Sequence, residues 1–361
     1  MSERHADALR VGINAIGAFA ERIDVRSPSE FALDHLPHAV NHPVLGDAER
    51  AQVGTLYVAS PFAARRLGAA MVARSIARMI DTTFANKPRD WRPLVYCWRG
   101  GQRSRALAHV LNEIGWRAMQ LDGGYRAYRR HVVAGLALLP SRFDFVVVCG
   151  LTGSGKSRLI AALDGAGAQA LDLERLAQHR GSLLGGLPDA PQPSQKAFES
   201  ALFDRLQRFD ASRPVFVEAE SRRVGVLQLP DALLARMHSG RGVVLHTPTA
   251  LRVRLLKQDY AHFIADTSML EQRLRPLTPL HGKAALGRWA ALAEARDWDA
   301  LIGELLERHY DPLYSRSLAT HFAPARKARS VDVSDVSHVA FAALAAELAA
   351  RFTCSGVAVP R

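Results

Sequence analysis

The sequence predicts an α/β protein of two parallel-sheet units, the second ending in a helical C-terminal part. Three observations predict it. Apolar runs of strand length alternate with helical patterns along most of the chain. The run Phe143–Cys149 is apolar almost throughout, as a strand covered on both faces of a parallel sheet must be. Between two such patterns, Leu138–Arg142 holds Pro140 and Ser141, a break that places one unit at 11–136 and the other at 142–352. A length of 361 residues suits two domains.

In chain order, the first unit opens with a short strand at Arg22–Val25. A helix start follows at Ser27-Pro28-Ser29-Glu30, where Ser caps, Pro pre-sets the first turn and Glu closes a capping box. Pro93–Trp98 reads as a strong strand, Arg103 to Gly115 as a helix and Met119-Gln120-Leu121 as a strand. Gly123-Gly124 breaks that strand, and a helix begins near Tyr125. The second unit continues from Phe143–Cys149 through strands at Ala168–Leu171, Val215–Val217 and Val243–His246. Gly181–Ser194 is rich in Gly and Pro and reads as loop. From Leu251 the pattern is mostly helical, and Thr353–Arg361 is expected to fray.

Composition narrows the function. Hydrophobic residues make up 48% and charged residues 23%, which supports a sizeable core and excludes wholesale disorder. With no run of about 18 apolar residues and no apolar signal core in MSERHADALR, neither a membrane span nor a secretory signal is expected. Cys97, Cys149 and Cys354 are too few and too scattered for a disulfide framework, so a reducing, cytoplasmic setting is expected. Lys and Arg number 47 against 35 Asp and Glu, a net charge of +12 that favours an anionic partner, nucleic acid first. Arg222 and Arg223, and Arg252, Arg254 and Lys257 on a helical stretch, are candidates to contact it; the competing reading is a solvated helix face.

Gly150-Leu151-Thr152-Gly153-Ser154-Gly155-Lys156-Ser157 fits the phosphate-loop pattern in full, with an apolar strand before it and a helical pattern after it. Gly150, Gly153 and Gly155 let the backbone turn its N–H groups inward, together with that of Ser154, onto phosphate oxygens, and the helix start adds partial positive charge. Lys156 would bridge the outer phosphates and Ser157 would hold Mg²⁺. Such sites take a further carboxylate from another strand end. Val215-Phe216-Val217-Glu218-Ala219-Glu220 offers Glu218 and Glu220, which strand alternation puts on one face; the alternative is a pair of solvated acids matched to Arg222 and Arg223.

A second loop, Tyr96-Cys97-Trp98-Arg99-Gly100-Gly101-Gln102-Arg103-Ser104, lies between a strand and a helix. Cys97 therefore falls at a helix N-terminus. Gly100 and Gly101 let N–H groups wrap its sulfur, and Arg99, Arg103 and Arg105 add positive charge, a setting that favours a reactive thiolate and also cradles a tetrahedral oxyanion. Cys149, inside an apolar strand, reads as a structural cysteine. His35, His38 and His42 have tempting metal spacing, but Pro37 and Pro43 interrupt them and nothing completes a ligand shell, so no metal site is assigned.

Asp24-Val25-Arg26-Ser27-Pro28-Ser29-Glu30-Phe31, His35-Leu36-Pro37-His38-Ala39-Val40-Asn41, the Cys97 loop and Leu121-Asp122-Gly123-Gly124-Tyr125 together resemble the successive signatures of a rhodanese domain, a fold that carries sulfur or selenium on such a cysteine. The usual rhodanese loop is C-x4-R; here five residues separate Cys97 from Arg103, as in related phosphatases and arsenate reductases, which suggests room for a phosphate-sized oxyanion. A rhodanese-like domain followed by a P-loop NTPase-like domain resembles the tRNA 2-selenouridine synthase family. The likeness extends to His179-Arg180-Gly181-Ser182, to Gln192–Ser200 and to Glu218–Gly225.

The resemblance implies two reactions on 2-thiouridine at the tRNA wobble position. The thiouridine sulfur first attacks geranyl diphosphate, and selenium from selenophosphate then displaces geranylthiol. Cys97 would be the catalytic residue, with Arg99, Gly100, Gly101, Arg103 and Ser104 holding selenophosphate, and Gly150–Ser157 would bind diphosphate with Glu218 or Glu220 arranging Mg²⁺. Whether Cys97 carries selenium or positions it, and whether the phosphate loop takes geranyl diphosphate or a nucleotide, both stay open at this point. So does the oligomeric state. A phosphatase or small-molecule kinase fusion is the rival reading, using the Cys97 loop for phosphate esters and the phosphate loop for ATP.

Overall fold

The computed structural model describes residues 9–188, 190–321 and 328–354. The chain forms two units: Met1–Gly135 with Ser194–Asp204, and Leu136–Pro193 with Arg205–Arg361. The sequence reading gave the whole of 142–352 to the second unit. The structure instead counts Ser194–Asp204 with the first.

The first unit holds a five-stranded sheet of β1 (Arg10–Val11), β2 (Arg22–Asp24), β3 (Ala39–Asn41), β4 (Leu94–Tyr96) and β5 (Met119–Leu121). Their order is β1-β5-β4-β2-β3 and every pairing is parallel. Ile23, Val95, Leu107, Leu111 and Met71 belong to its core. The helix Pro61–Asp81 buries Ala64, Gly68, Met71, Val72, Ile76 and Met79, a face at helical spacing. A Cβ on Gly68 would lie 3.3 Å from Val53, so the small residue lets the preceding helix Asp47–Ala59 pack close.

At the C-terminal end of β2 lies a buried ion pair. Arg26 and Asp24 are 1% and 0% exposed. The Arg26 guanidinium donates to both Asp24 oxygens at 2.6–3.0 Å and to the Asp34 carbonyl at 2.7 Å, and it lies 4.0 Å over the Tyr125 ring. The Asp34 carboxylate accepts from Tyr125 Oη (2.8 Å) and Ser200 Oγ (2.9 Å). Glu199 pairs with Arg129, and Phe203 packs edge-on against His131. These contacts tie Ser194–Asp204 to the first unit.

The second unit holds β6 (Phe145–Gly150), β7 (Gln169–Leu171), β8 (Val215–Glu218), a small antiparallel hairpin of β9 (Arg223–Val224) and β10 (Leu227–Gln228), then β11 (Arg241–His246) and β12 (Arg329–Asp332). The sheet order is β12-β11-β6-β8-β7, all parallel. β6 is buried at every residue and lies centrally, as its unbroken apolar run requires. The helix Lys156–Gly165 after β6 buries Leu159, Ile160 and Leu163 in a core that also includes Phe341, Ala345 and Leu348 of the C-terminal helix His338–Cys354. A separate apolar cluster joins Leu184, from the segment read as loop, to Phe263, Leu274, Trp289 and Leu305 of the stretch expected to be mostly helical. Among the described residues of that stretch, β12 is the exception. Of the tail expected to fray, Thr353 and Cys354 continue the helix backbone, and 355–361 lie outside the described residues.

Candidate functional sites: two anion cradles

In the first unit, β4 ends at Tyr96 and the helix Gln102–Ile114 begins five residues after Cys97. Cys97 is 3% exposed, and its Sγ accepts from the Gly101 N–H (3.3 Å) and from Ser104 Oγ (3.1 Å). Gln120 on β5 was missed by sequence reasoning. Its Nε2 donates to Ser104 Oγ (2.7 Å) and to the carbonyls of Gly100 (2.9 Å) and Gly101 (3.1 Å), so the amide holds both the hydroxyl and the loop. A half-apolar strand residue carries no signature that would reveal this. The double glycine Gly123-Gly124 explains itself here. Gly124 has φ +55°, and a Cβ on it would lie 2.2 Å from the Cys97 carbonyl, while Tyr125 N–H donates to that carbonyl at 2.9 Å.

The structure brings Cys97, Gly100, Gly101 and Ser104 together. Arg103 is turned to Glu30, Nη1 to Oε2 at 2.9 Å, and Glu30 also accepts from the Ser27 N–H at 3.2 Å. Burial tends to raise the Glu30 carboxyl, but Arg103, Ser27 and Arg50 outweigh it and hold its pKa below the usual value. Arg99 and Arg105 are exposed. Among the described residues no cluster of His, Cys, Asp and Glu could hold a metal. His35 instead stacks on Phe31 and bonds its carbonyl, and His42 packs edge-on against Phe84.

In the second unit, the phosphate loop follows β6 as expected. Gly150, Gly153 and Gly155 have φ of +152°, +75° and +91°. Side chains there would meet the Ser154 hydroxyl, Leu256 and Phe341 at 2.4–2.8 Å, so the glycines are needed for both conformation and space. Lys156 donates to the carbonyls of Gly150 (2.8 Å) and Leu151 (3.3 Å), and its Nζ lies 4.7 Å over the Tyr314 ring. Ser154 Oγ is buried without a hydrogen-bond partner. Cys149, beneath the loop, is pushed up to about 12 by burial, which agrees with a structural thiol.

Around Lys156 the structure gathers more acid than the sequence reading assigned. Ser157 Oγ donates to Glu174 Oε2 at 2.6 Å, and the Glu174 N–H donates to Glu218 Oε1 at 2.9 Å. Glu174 stands on the short helix Leu173–Ala177 after β7, with Asp172 as its N-cap. Acids just past a strand end were the only signal available for it. Glu218 is fully buried and Glu220 is 8% exposed. Neither is matched to Arg222 or Arg223; Arg222 pairs with Asp231, and Arg223 is exposed on β9. Gly181, φ +69°, is pressed against this group: a Cβ would lie 2.9 Å from Glu220 and 3.2 Å from Glu174.

Burial is the first influence on each of these groups. It raises Glu174, raises Glu218 well above the usual carboxyl value and pushes Glu220 up to about 8, with neighbouring carboxylates adding to it. It pulls Lys156 down, against the pull of Glu174 and Glu220. Burial thus favours the neutral forms in this cluster, where carboxyl groups outnumber the one lysine.

One candidate for nucleic-acid contact is corrected. Arg252 is 3% exposed; it forks onto Asp311 and donates to the Thr152 carbonyl at 2.8 Å, so it braces the phosphate loop from within. A buried arginine on an amphipathic helix repeats the pattern of a solvated one, and only packing separates them. Lys257 pairs with Asp299, while Arg254 is exposed on the same helix. Among the described residues no helix is long and apolar enough to cross a membrane.

Comparison with known proteins follows the same division. Residues 12–131 match the rhodanese-like domain family, and residues 143–275 match the tRNA 2-selenouridine synthase AAA domain. Three relatives are each named tRNA 2-selenouridine synthase. One from Verminephrobacter eiseniae is 36% identical over 330 residues, covering 81% of this chain and 87% of its own. One from Cupriavidus pinatubonensis is 35% identical over 328 residues with the same coverage, 81% and 87%. One from Nitrosomonas europaea is 36% identical over 269 residues, covering 71% and 68%.

Proposed function

The chain belongs to the tRNA 2-selenouridine synthase family, and from that premise we propose that it replaces sulfur by selenium in 2-thiouridine of tRNA, through an S-geranyl intermediate. The observation that carries this reading is the presence of two anion cradles on one chain, one around Cys97 and one around Lys156. A single-step exchange has no use for the second.

The chemistry divides between them. In the first step the thiocarbonyl sulfur forms a bond to C1 of geranyl diphosphate, the C1–O bond breaks and diphosphate departs. The phosphate-loop N–H groups and Lys156 neutralise the leaving group. Alkylation at sulfur also releases the base's N3 proton, which passes to solvent. In the second step selenium bonds to C2, the C2–S bond breaks and geranylthiol leaves, while hydrolysis of the P–Se bond of selenophosphate releases phosphate. The Gly101 N–H and Ser104 hydroxyl that converge on Cys97 suit the oxyanion of selenophosphate.

Magnesium fits the phosphate loop in a limited way. Glu218 Oε2 is buried without a partner, and the cluster has an excess of carboxyl groups over cations. No three of these groups form a cage among the described residues. Ser157 with Glu174 or Glu218 would hold the ion, the remaining ligands being phosphate and water as is usual for Mg²⁺, and it would supply charge to the departing diphosphate.

The test uses two variants and nucleoside mass spectrometry. Lys156→Ala is expected to lose geranylation of thiouridine-containing tRNA, yet to form selenouridine from pre-geranylated tRNA and selenophosphate. Cys97→Ser is expected to do the reverse. Loss of both steps in a folded, tRNA-binding variant, or a strict need for ATP in geranylation, would overturn the division of labour.

A further inference from the structure

Beside the phosphate loop the second unit contains a cavity of about 60 Å³. On the same measure one water needs ~10–15 Å³, so the space has room for only about four to six water-sized groups. Its walls include Leu184, Leu256, Phe263, Leu270, Ile302 and Leu305, and Thr152 and Ser182 also line it. Thr152 is a phosphate-loop residue. Leu256 also touches the loop, since a Cβ on Gly153 would lie 2.8 Å from its Cγ. Of the polar groups that line the cavity, Lys257 pairs with Asp299 and Tyr260 Oη bonds Ser182 Oγ at 3.0 Å, while Tyr310 Oη is buried without a hydrogen-bond partner.

The segment His179-Arg180-Gly181-Ser182 joins this cavity to the acid cluster. Gly181 lies against Glu220 and Glu174, and the next residue, Ser182, is in the cavity lining. Arg180 lies 5.1 Å over the Tyr260 ring. An apolar slot that shares Thr152 with an anion cradle is complementary to an amphiphile with a phosphate head and a thin hydrocarbon tail. An ATP-type ligand would instead place a polar base and ribose beside the loop, and these mostly apolar walls offer such groups little beyond the Tyr310 hydroxyl.

We propose that this slot binds the isoprenoid chain of the prenyl diphosphate whose head the phosphate loop holds, and that Ile302 and Leu305, on the helix Trp298–Leu305, set the chain length accepted. The inference rests on the reading that the phosphate loop takes geranyl diphosphate. The head would meet Lys156 and Ser157 while the chain passes Thr152 and Ser182 into the leucine-lined interior.

The test compares inorganic diphosphate, dimethylallyl diphosphate, geranyl diphosphate and farnesyl diphosphate by titration calorimetry on the full chain, with geranylation of thiouridine-containing tRNA measured in parallel. Burying about four carbon atoms corresponds to roughly two powers of ten, so geranyl diphosphate should bind at least about 100-fold more tightly than inorganic diphosphate. Ile302→Trp fills the slot and should remove most of that advantage while inorganic diphosphate binds as before, which also shows that the variant is folded. Leu305→Ala lengthens the slot and should shift preference toward farnesyl diphosphate. If geranyl diphosphate binds tightly and is transferred, but Ile302→Trp and Leu305→Ala leave the chain-length profile unchanged, the slot is refuted and the phosphate-loop reading stands. If the wild-type chain binds geranyl diphosphate no better than inorganic diphosphate and transfers nothing, both fail.

Discussion

Gly124→Ala should cripple the Cys97 loop, whereas Gly101→Ala, only four residues from the sulfur, should be tolerated. At Gly124 the φ of +55° is one an L-residue reaches at a cost of ~1–2 kcal/mol. The added methyl would also lie 2.2 Å from the Cys97 carbonyl and 2.5 Å from the Gly100 nitrogen. Both are backbone atoms, so no rotamer change relieves the contact. Overpacking of that kind costs ~1–3 kcal/mol. Together the two effects predict a loss of roughly 2–5 kcal/mol. The strain would fall on the Tyr125 N–H to Cys97 carbonyl bond, and the Gly101 N–H would move from Sγ. At Gly101 a Cβ meets nothing within 4 Å and φ is −96°, so the change should stay within about 1 kcal/mol. Urea unfolding followed by tryptophan fluorescence reads the difference through Trp98, whose ring lies 5.3 Å from that of Tyr125. Selenouridine formation from pre-geranylated tRNA reads the loop itself, and should fall by at least about 100-fold in Gly124→Ala. Equal stability and equal activity of the two variants would refute the reasoning.

Two further outcomes follow from charge. The Glu220 carboxyl, raised from 4.5 to about 8, holds a proton in the folded chain that the unfolded chain has released, so its contribution to stability is full below about 4.5 and is lost as pH rises through about 8. Between pH 6 and 9 the wild-type chain should therefore lose roughly 1–3 kcal/mol more than Glu220→Gln, which stays neutral, and parallel pH profiles in urea titrations would contradict this. The net charge of +12 predicts that tRNA affinity falls steeply with salt, by about 0.7–0.9 log units per log unit of salt for each phosphate contact, and a flat filter-binding series between 50 and 200 mM salt would argue against RNA as partner.

What the sequence made legible was spacing. The phosphate loop and the Cys97 loop are each one contiguous run whose glycines have local reasons, and both lie where the pattern put them. Residues that arrive from other elements were not legible. Glu174, on the short helix after β7, and Gln120, in the middle of β5, carry no motif of their own. Arg252 looks like surface charge because helical periodicity cannot distinguish a guanidinium facing Asp311 from one facing water. The helix Asp47–Ala59 has no fully buried residue, and Pro61–Asp81 buries Ala64 and Gly68 beside Met71, Val72, Ile76 and Met79, which gives little contrast between faces. β12, Arg-Ser-Val-Asp, pairs with β11 across more than eighty residues, and its four-residue pattern means little until that partner is in place.

The return of Ser194–Asp204 to the first unit has a consequence for biosynthesis. A Cβ on Gly135 would lie 2.1 Å from the Phe203 ring, and Ser200 supplies one of the two hydroxyl bonds to the buried Asp34 carboxylate. A ribosome that has just released residue 135 has therefore delivered a domain with an open flank and a half-satisfied buried acid. That domain closes only some seventy residues later, after the phosphate loop and β7 have already emerged. A gene cut at the proline boundary near residue 140 should accordingly yield an N-terminal fragment prone to aggregate, while adding Ser194–Asp204 as a separate peptide should rescue it.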